Sequence, residues 1–257
     1  MEIRDRIVVV TGGSSGIGAA LAQRFVAEGA RAVVVADLDV GTVADGALPY
    51  RCDVTRQDEV AALVAEVERD FGRIDVFCSN AGVLTPGWDL RTADFGAWQR
   101  DWEVNVMAHA YAAKAVLPGM IERGEGYLLQ TLSAAALLAS PESAVYTTTK
   151  HAALGLAESL AFSYRRFGIR VSALCPMAVR TPLLDRFAGD GASAGLDGVL
   201  APEAVAAAAV AGMRDERFLI FPHPAVADYY ARKAAQPDKW LRQMESLHGR
   251  FTDVPKG

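Results

Sequence analysis

Continuous apolar runs alternate with amphipathic segments along most of the 257 residues of this chain. The runs are rich in Val, Ile and Leu and lack alternating polar positions, which is typical of strands buried on both faces of a parallel sheet. They occupy residues 7–11, 32–36, 74–79, 127–132, 169–175 and 218–221, and a shorter one surrounds Tyr50-Arg51-Cys52. Helical periodicity occupies about 17–28, 57–71, 96–122, 143–167 and 201–214. This alternation predicts a doubly wound α/β fold, with one mostly parallel seven-stranded sheet and helices on both faces.

Three regions depart from the alternation. Residues 38–48 are too few, and too interrupted by glycine, for a full crossover helix, so we expect a turn or a single helical turn there. Residues 181–200 are rich in Gly, Ala and Leu and indicate a substrate loop with a short helix. Residues from about 223 to 248 follow a helical pattern and are expected to pack on the body of the protein or on a neighbouring subunit. Because no linker composition interrupts the chain, residues 1–257 are interpreted as a single domain.

Composition narrows the choice of partners. A net charge of -5 and a pI of about 5.4 argue against nucleic acid and anionic membrane surfaces. The apolar run after Met1–Ile7 is too short for a signal peptide or a membrane span, so a cytoplasmic location is expected. Cys52, Cys78 and Cys175 are odd in number and far apart, which favours reduced thiols. The four histidines lack metal-ligand spacing, and no metal site is predicted.

A glycine-rich stretch, Thr11-Gly12-Gly13-Ser14-Ser15-Gly16-Ile17-Gly18, lies between the first apolar run and the first helical pattern. A nucleotide phosphate needs this order, because glycines let the backbone approach a pyrophosphate and a helix N-terminus offers unpaired N–H groups. Taken alone, a glycine triplet could also be an ordinary tight turn. The residues of this loop expected to bind a cofactor are Gly12, Ser14, Ser15, Gly16, Ile17 and Gly18.

An acidic residue, Asp37, ends the second apolar run. A carboxylate at this point can accept hydrogen bonds from the adenosine ribose and would repel a 2′-phosphate. No Arg stands at Gly13, Ser14 or Leu38 to neutralise such a phosphate, so NAD is favoured over NADP. The alternative is a solvated Asp at the start of a turn.

A phenol and an ammonium, Tyr146 and Lys150, are four residues apart and therefore share one face of a helix. A nearby ammonium stabilises a phenolate and brings proton transfer by tyrosine within range at neutral pH. Tyr229 and Lys233 form a second pair with this spacing, so the pattern alone does not distinguish catalysis from a structural helix face. Ser133 distinguishes the two Tyr–Lys pairs, because it stands at the end of an apolar run, at the sheet edge where ligands bind, upstream of Tyr146. The second pair has no such serine and is interpreted as packing.

With these residues together, the chain resembles the short-chain dehydrogenase/reductase family of the compact, single-domain type, which has a Rossmann fold. The resemblance runs nearly from end to end. It departs from the family pattern at Ser79, where Asn is commoner, at Met177 in place of Gly, and in the short 38–48 connection. The further matches are Asn105 in the long helix, and the cofactor contacts Leu38, Asp53, Val54, Asn80, Ala81, Gly82, Pro176, Val179 and Thr181.

The resemblance implies a role for each catalytic residue. Tyr146 exchanges a proton with the substrate oxygen, and Ser133 holds that oxygen. Lys150 lowers the pKa of Tyr146 and binds the nicotinamide ribose, while Asn105 supports a water-linked proton relay. Asn105 could instead only brace a helix interior. The long helices 96–122 and 143–167 are apolar over more than one stripe, and in this family such helices pair in a homotetramer or homodimer.

The residues expected to contact the substrate are nearly all apolar, without an Arg or Lys to hold a carboxylate or phosphate. A small-molecule substrate, namely a hydrophobic secondary alcohol or its ketone, is therefore favoured. Ser133, Ala135, Tyr146, Met177 and Leu184 are the main candidates, and Ala134, Leu138, Val145, Leu183 and Phe187 are further ones.

The function predicted from the sequence is an NAD-dependent interconversion of that alcohol and ketone. One alternative is an NADP-dependent ketone reductase of the ketoacyl type, which Asp37 disfavours. A sugar-nucleotide epimerase or dehydratase would need a longer chain. A non-catalytic NAD-binding sensor would have little reason to keep Ser133, Tyr146 and Lys150 together.

Overall fold

The apolar runs pair as parallel strands of one sheet in the computed structural model, which describes residues 1–41, 43–186 and 192–252. The strands are β1 (Ile7–Thr11), β2 (Ala32–Asp37), β3 (Leu48–Arg51), β4 (Val76–Ser79), β5 (Gly126–Thr131), β6 (Ile169–Leu174) and β7 (Leu219–Ile220). Their order in the sheet is β3-β2-β1-β4-β5-β6-β7, and each neighbouring pair is parallel. The predicted doubly wound Rossmann fold is confirmed.

Helices follow most strands. Those of the described residues are α1 (Gly16–Ala27), α2 (Gln57–Phe71), α3 (Phe95–Trp102), α4 (Ala108–Arg123), α5 (Ala135–Leu138), α6 (Ala144–Tyr164), α7 (Pro202–Arg214), α8 (Ala225–Ala235) and α9 (Pro237–Phe251). Short 3-10 turns lie at Leu90–Thr92, Arg165–Phe167, Leu184–Arg186 and Ala192–Gly195. The described parts of the 38–48 connection form turns and bends without a helix, as its length predicts.

Successive strand residues point to opposite faces, so each face of the sheet carries its own core. Val9 packs in a cluster with residues of α2, α4 and α6, whereas Val8 and Val10 pack in a second cluster with residues of α1 and α7. Because both faces are covered by helices, the strands need no polar alternation, which explains the continuous apolar runs in the sequence.

The strand order reverses beside β1, which pairs with β2 on one side and with β4 on the other. A crevice forms at the carboxyl ends of the strands at such a reversal. Thr11 ends β1 and Asn80 directly follows β4, and the backbone N–H of Asn80 donates to Thr11 Oγ1 at 3.0 Å. The glycine loop and the segment after β4 therefore meet at the crevice.

The long helix predicted over 96–122 is interrupted. A π-helical turn, Glu103–Met107, separates α3 from α4 and contains Asn105. Such a turn inserts one residue into the helix and is frequent at functional sites. Sequence periodicity missed it, because apolar residues continue at helical spacing on both sides.

Among the described residues, no helix combines the length and the apolar character that a bilayer crossing requires.

Candidate active site

A cavity of about 920 Å³ opens at the carboxyl ends of the strands. The glycine loop lies at one part of it, and Ser133, Tyr146 and Lys150 lie at another. Most of the predicted cofactor contacts line this cavity, namely Gly12, Ser15, Gly16, Ile17, Asp37, Leu38, Asp53, Val54, Asn80, Ala81, Gly82, Pro176, Val179 and Thr181. Ser14, Gly18 and Asn105 lie behind the lining rather than in it.

The glycine loop is held tightly against its neighbours. A Cβ on Gly12 would lie 2.7 Å from the Ala81 Cα, and a Cβ on Gly18 would lie 2.1 Å from the Gly12 carbonyl oxygen. Gly18 therefore serves close packing between the loop and α1, which is why it lies behind the cavity surface. Gly16 approaches the side chain of Thr181 in the same way, since its Cβ would lie 2.9 Å from Thr181 Cγ2.

The loop fits a phosphate group. Helix α1 begins at Gly16, and the side chain of Ser15 makes no capping hydrogen bond, so the first N–H groups of the helix face the cavity without a side-chain cap. A ligand oxygen at this helix end is the partner that such N–H donors accommodate best.

Asp37 is fixed beside the loop. One carboxylate oxygen accepts a hydrogen bond from the Ser14 N–H at 3.1 Å, and the other accepts from the Leu38 N–H at 2.8 Å. Each oxygen keeps a lone pair for a further donor, and the carboxylate lines the cavity. This arrangement favours a ligand that brings hydroxyl groups rather than one that brings a second anion.

Ser133, Tyr146 and Lys150 converge on the cavity from two elements. Ser133 follows β5, whereas the other two lie one turn apart on α6, whose N-terminus is capped by Ser143. Lys150 Nζ lies 5.5 Å from the centre of the Tyr146 ring and donates to the Thr131 carbonyl at 3.3 Å. The predicted group is thus brought together.

Burial dominates the proton equilibria of this group. It raises the pKa of Tyr146 to about 12, and a hydrogen bond with Ser133 acts in the opposite direction. Burial also lowers the pKa of Lys150 to about 8, which leaves the ammonium charged at neutral pH. The effect of Lys150 on Tyr146 that the spacing predicts is therefore smaller than the effect of burial in this structure.

Asn105 lies in the interior and braces the site. Its Nδ2 donates to the Val83 carbonyl at 2.9 Å and to Thr149 Oγ1 at 3.1 Å, and its Oδ1 accepts from the Val83 N–H at 3.0 Å. The side chain therefore ties the π-helical turn to α6 and to the segment after β4. These bonds support the bracing interpretation of Asn105, and a relay through this residue stays a prediction.

A buried pair, His109 and Gln130, lies behind the site and was missed from the sequence. His109 follows Asn105 by four residues, and its Nδ1 bonds to the side-chain oxygen of Gln130. Since an amide oxygen only accepts, Nδ1 carries the proton. Burial, with a smaller contribution from the charge of Lys150, lowers the pKa of His109 to about 4. A lone histidine in a helical pattern carries no signal that would have revealed this pair.

The substrate side of the cavity is mainly apolar, and Ser133, Ala135, Tyr146, Met177 and Leu184 all line it. Ala134, Leu138 and Leu183 line it as well, whereas Val145 lies behind it and Phe187 lies outside the described residues. Two arginines that the sequence did not indicate, Arg100 and Arg232, also line the cavity. They come from α3 and α8, far from the other candidates in sequence, so a local pattern could not reveal them.

The second Tyr–Lys pair has other partners. Tyr229 donates from its hydroxyl to Asp197 at 2.9 Å, and Lys233 Nζ donates to the Leu137 carbonyl at 2.5 Å. These contacts support the packing role inferred from the sequence. The Tyr229 ring nevertheless reaches the cavity surface, which the sequence did not indicate.

The sequence model of a known family, described as short chain dehydrogenase, matches residues 6–190. The chain belongs to the short-chain dehydrogenase family. It is 36% identical over 193 residues to 2,5-dichloro-2,5-cyclohexadiene-1,4-diol dehydrogenase of Sphingobium indicum, covering 72% of this chain and 77% of that one. It is also 36% identical over 233 residues to 1-deoxy-11-beta-hydroxypentalenate dehydrogenase of Streptomyces exfoliatus, covering 86% of this chain and 84% of that one.

A solved structure agrees with this membership. A short-chain dehydrogenase/reductase from Burkholderia phymatum in complex with NAD superposes with a TM-score of 0.84 at 28% identity, covering 93% of this chain and 96% of that one. The protein is thus an oxidoreductase of the short-chain dehydrogenase type and binds NAD(H) or NADP(H), as its family does. Its relatives act on small-molecule alcohols, as their names state.

Proposed function

We propose that this short-chain dehydrogenase uses NAD to interconvert a hydrophobic secondary alcohol and its ketone, with Tyr146 as the acid and base. One observation carries the proposal: Ser133, Tyr146 and Lys150 line the same cavity as the glycine loop and Asp37. A site that binds a dinucleotide without chemistry has no need of a phenol, an ammonium and a hydroxyl at one end.

The preference for NAD rests on Asp37. Its carboxylate is held by two backbone N–H groups and lines the cavity, so a 2′-phosphate would meet a fixed negative charge. Leu38, its exposed neighbour, offers no positive charge to offset that repulsion. The residues of the glycine loop would hold the pyrophosphate, and Asp53 and Val54 would lie beside the adenine.

The hydride transfer and the proton transfer are divided between the bound NAD and the side chains of Ser133, Tyr146 and Lys150. A bound NAD supplies the hydride acceptor for the carbinol carbon. The Tyr146 phenolate takes the alcohol proton during oxidation, and the resulting phenol returns that proton to the substrate oxygen during reduction. Ser133 donates a hydrogen bond to the reacting oxygen, which holds it against Tyr146. Lys150, charged and buried, stabilises the phenolate that this transfer requires.

Uncharged apolar alcohols fit the substrate side. Ala135, Leu138 and Met177 supply hydrocarbon and thioether surface near Ser133. Met177 adapts to ring-shaped groups, because its side chain is unbranched and polarizable. We propose that these three side chains surround the reacting carbon and that Arg100 and Arg232 contact other parts of the bound molecules.

We also propose that the chain works as a homotetramer or homodimer in the cytoplasm, with residues 1–257 forming one domain. The outer face of α6 supports assembly, because Phe162 is 74% exposed there. A large aromatic side chain at this exposure is more stable against a second subunit than in water.

The experiment replaces Tyr146 by Phe, which removes the hydroxyl and keeps the buried ring. Turnover of a hydrophobic alcohol such as cyclohexanol should fall by roughly 10²–10⁴-fold, the usual worth of a positioned acid or base. The affinity for NAD should stay nearly unchanged, since the phenol does not hold the pyrophosphate. Initial rates and NAD titrations measure the two quantities.

Tyr229→Phe is the matched control within the same chain. It removes a hydroxyl that bonds to Asp197, so turnover should stay within a few-fold and only the melting temperature should shift slightly. If Tyr146→Phe keeps most of its turnover, or if folded Tyr229→Phe loses it, the catalytic assignment is wrong.

A further inference from the structure

The far wall of the active-site cavity comes from a part of the chain outside the family match, which ends at residue 190. Helix α9 contributes Trp240, Gln243, Met244 and Leu247 to the same cavity that Ser133 and Tyr146 line. Each of the two middle residues is three or four positions from both outer ones, so the four share one face of the helix. Leu241 lies on another face and is 64% exposed.

This wall is anchored to the body of the enzyme. His248 Nδ1 bonds to the Pro141 carbonyl at 2.9 Å, and its ring meets Trp88 edge-on with the ring centres 4.7 Å apart. Lys233 on the preceding helix bonds to the Leu137 carbonyl. Since both carbonyls belong to the segment between Ser133 and Tyr146, α8 and α9 are each held to the segment that joins these two residues.

Three of the four side chains of the wall are large and apolar, and the fourth is the exposed amide of Gln243. Trp240 packs on the cluster that contains Leu137 and Leu138, which lie four and five residues after Ser133. Apolar surface remains facing the cavity, because three side chains are only half-buried: Trp240, Met244 and Leu247. An aromatic ring and a thioether contribute most when they contact another apolar ring.

We infer that α9 is the specificity element of this dehydrogenase and that it selects alcohols in which a fused or bulky ring system adjoins the carbinol carbon. The inference rests on the proposed alcohol oxidation and names its substrate class. Trp240, Met244 and Leu247 contact the part of the ring system that is distant from the reacting oxygen, and they take no part in proton transfer. Without α9, the cavity would be open to solvent on this side, and a small alcohol would bind as well as a bicyclic one.

The test compares 1-tetralol, a bicyclic secondary alcohol, with 2-butanol at saturating NAD. Trp240→Ala should lower the ratio of kcat/KM for 1-tetralol to kcat/KM for 2-butanol at least tenfold. The reason is that an apolar pocket discriminates by about 10- to 200-fold between two substrates that differ by as little as one methylene group. Met244→Ala should lower this ratio less than Trp240→Ala does, because the side chain of Met244 has a smaller apolar surface than that of Trp240. Leu241→Ala, on the same helix but facing solvent, should leave it unchanged.

Binding provides a second readout that does not depend on turnover. Calorimetric titration of 1-tetralol into each variant, with NADH in place of NAD so that no hydride acceptor is present, should give a dissociation constant at least tenfold higher for Trp240→Ala than for Leu241→Ala, with both melting temperatures near wild type. An unchanged ratio and an unchanged dissociation constant in both pocket variants would overturn the inference. Absence of turnover in the wild type, with the binding difference intact, would instead count against the proposed reaction and leave α9 as the specificity wall.

Discussion

The buried His109 makes the stability of this dehydrogenase depend on pH in a direction that follows from its surroundings. Its side chain is 1% exposed, and burial lowers its pKa from 6.5 to about 4. In the unfolded chain the imidazole binds a proton near pH 6.5, whereas the native protein does not bind it until about pH 4. The native state is therefore disfavoured as the pH falls through this interval, and its stability is recovered above pH 6.5.

The size of the effect follows from the two pKa values. Their difference corresponds to about 3 kcal/mol in total. About 2 kcal/mol of this should be lost between pH 7.5 and pH 5.0, where the unfolded histidine is almost fully protonated and the native one is still neutral. Such a loss is a sizeable part of the stability of a typical domain.

The perturbation is His109→Gln, which keeps a hydrogen-bonding side chain beside Gln130 and removes the titration. The free energy of unfolding is measured by urea denaturation at pH 7.5 and pH 5.0, at one fixed protein concentration so that subunit assembly affects both equally. The variant is expected to be less stable than wild type at pH 7.5, because its packing is altered. Its loss between the two pH values should be smaller than that of wild type by about 2 kcal/mol.

The control is His151→Gln on the exposed side of α6, where the imidazole bonds to the Thr147 carbonyl. Burial also lowers the pKa of His151, but less than that of His109, so this variant should change the pH dependence in the same direction and by a smaller amount. If His109→Gln loses as much stability as wild type on acidification, His109 is not buried in the neutral form, and the reasoning fails.

Two further predictions concern the cofactor and the assembly. The value of kcat/KM should be at least tenfold higher with NAD than with NADP, a preference of about 1.4 kcal/mol or more. Asp37→Ala combined with Leu38→Arg should raise kcat/KM for NADP relative to that for NAD. Equal use of both cofactors by the wild type would contradict the role of Asp37. Light scattering of the wild type at micromolar concentration should give the mass of a dimer or tetramer. Phe162→Glu should lower the measured mass. A monomeric wild type would refute the assembly.

Local sequence was sufficient for the features that depend on neighbours along the chain. The Val-rich run before Thr11 predicted a buried strand because both of its faces are covered, and the glycines after it predicted a tight loop because no side chain fits at Gly12 or Gly18. Asp37 was found because it ends the next strand. In a doubly wound fold the carboxyl ends of strands meet at one edge, so Ser133 and Tyr146 could be assigned to one site before their distance was known.

Other features arise only where distant segments meet. The π-helical turn at Asn105 depends on hydrogen bonds to Val83 and Thr149, and no spacing within the helix signals them. The neutral state of His109 exists because α4, which carries it, packs against the strand that carries Gln130, and this packing buries the imidazole. Arg232 and Trp240 enter the cavity because α8 and α9 fold back over the segment after Ser133. The sequence alone thus determined the fold and was sufficient to propose the nucleotide loop and the catalytic group, because strand and helix periods and glycine geometry are local properties. Only the tertiary structure decided which side chains line the cavity and which ionisable groups are buried, since both depend on packing between elements that are far apart in the chain.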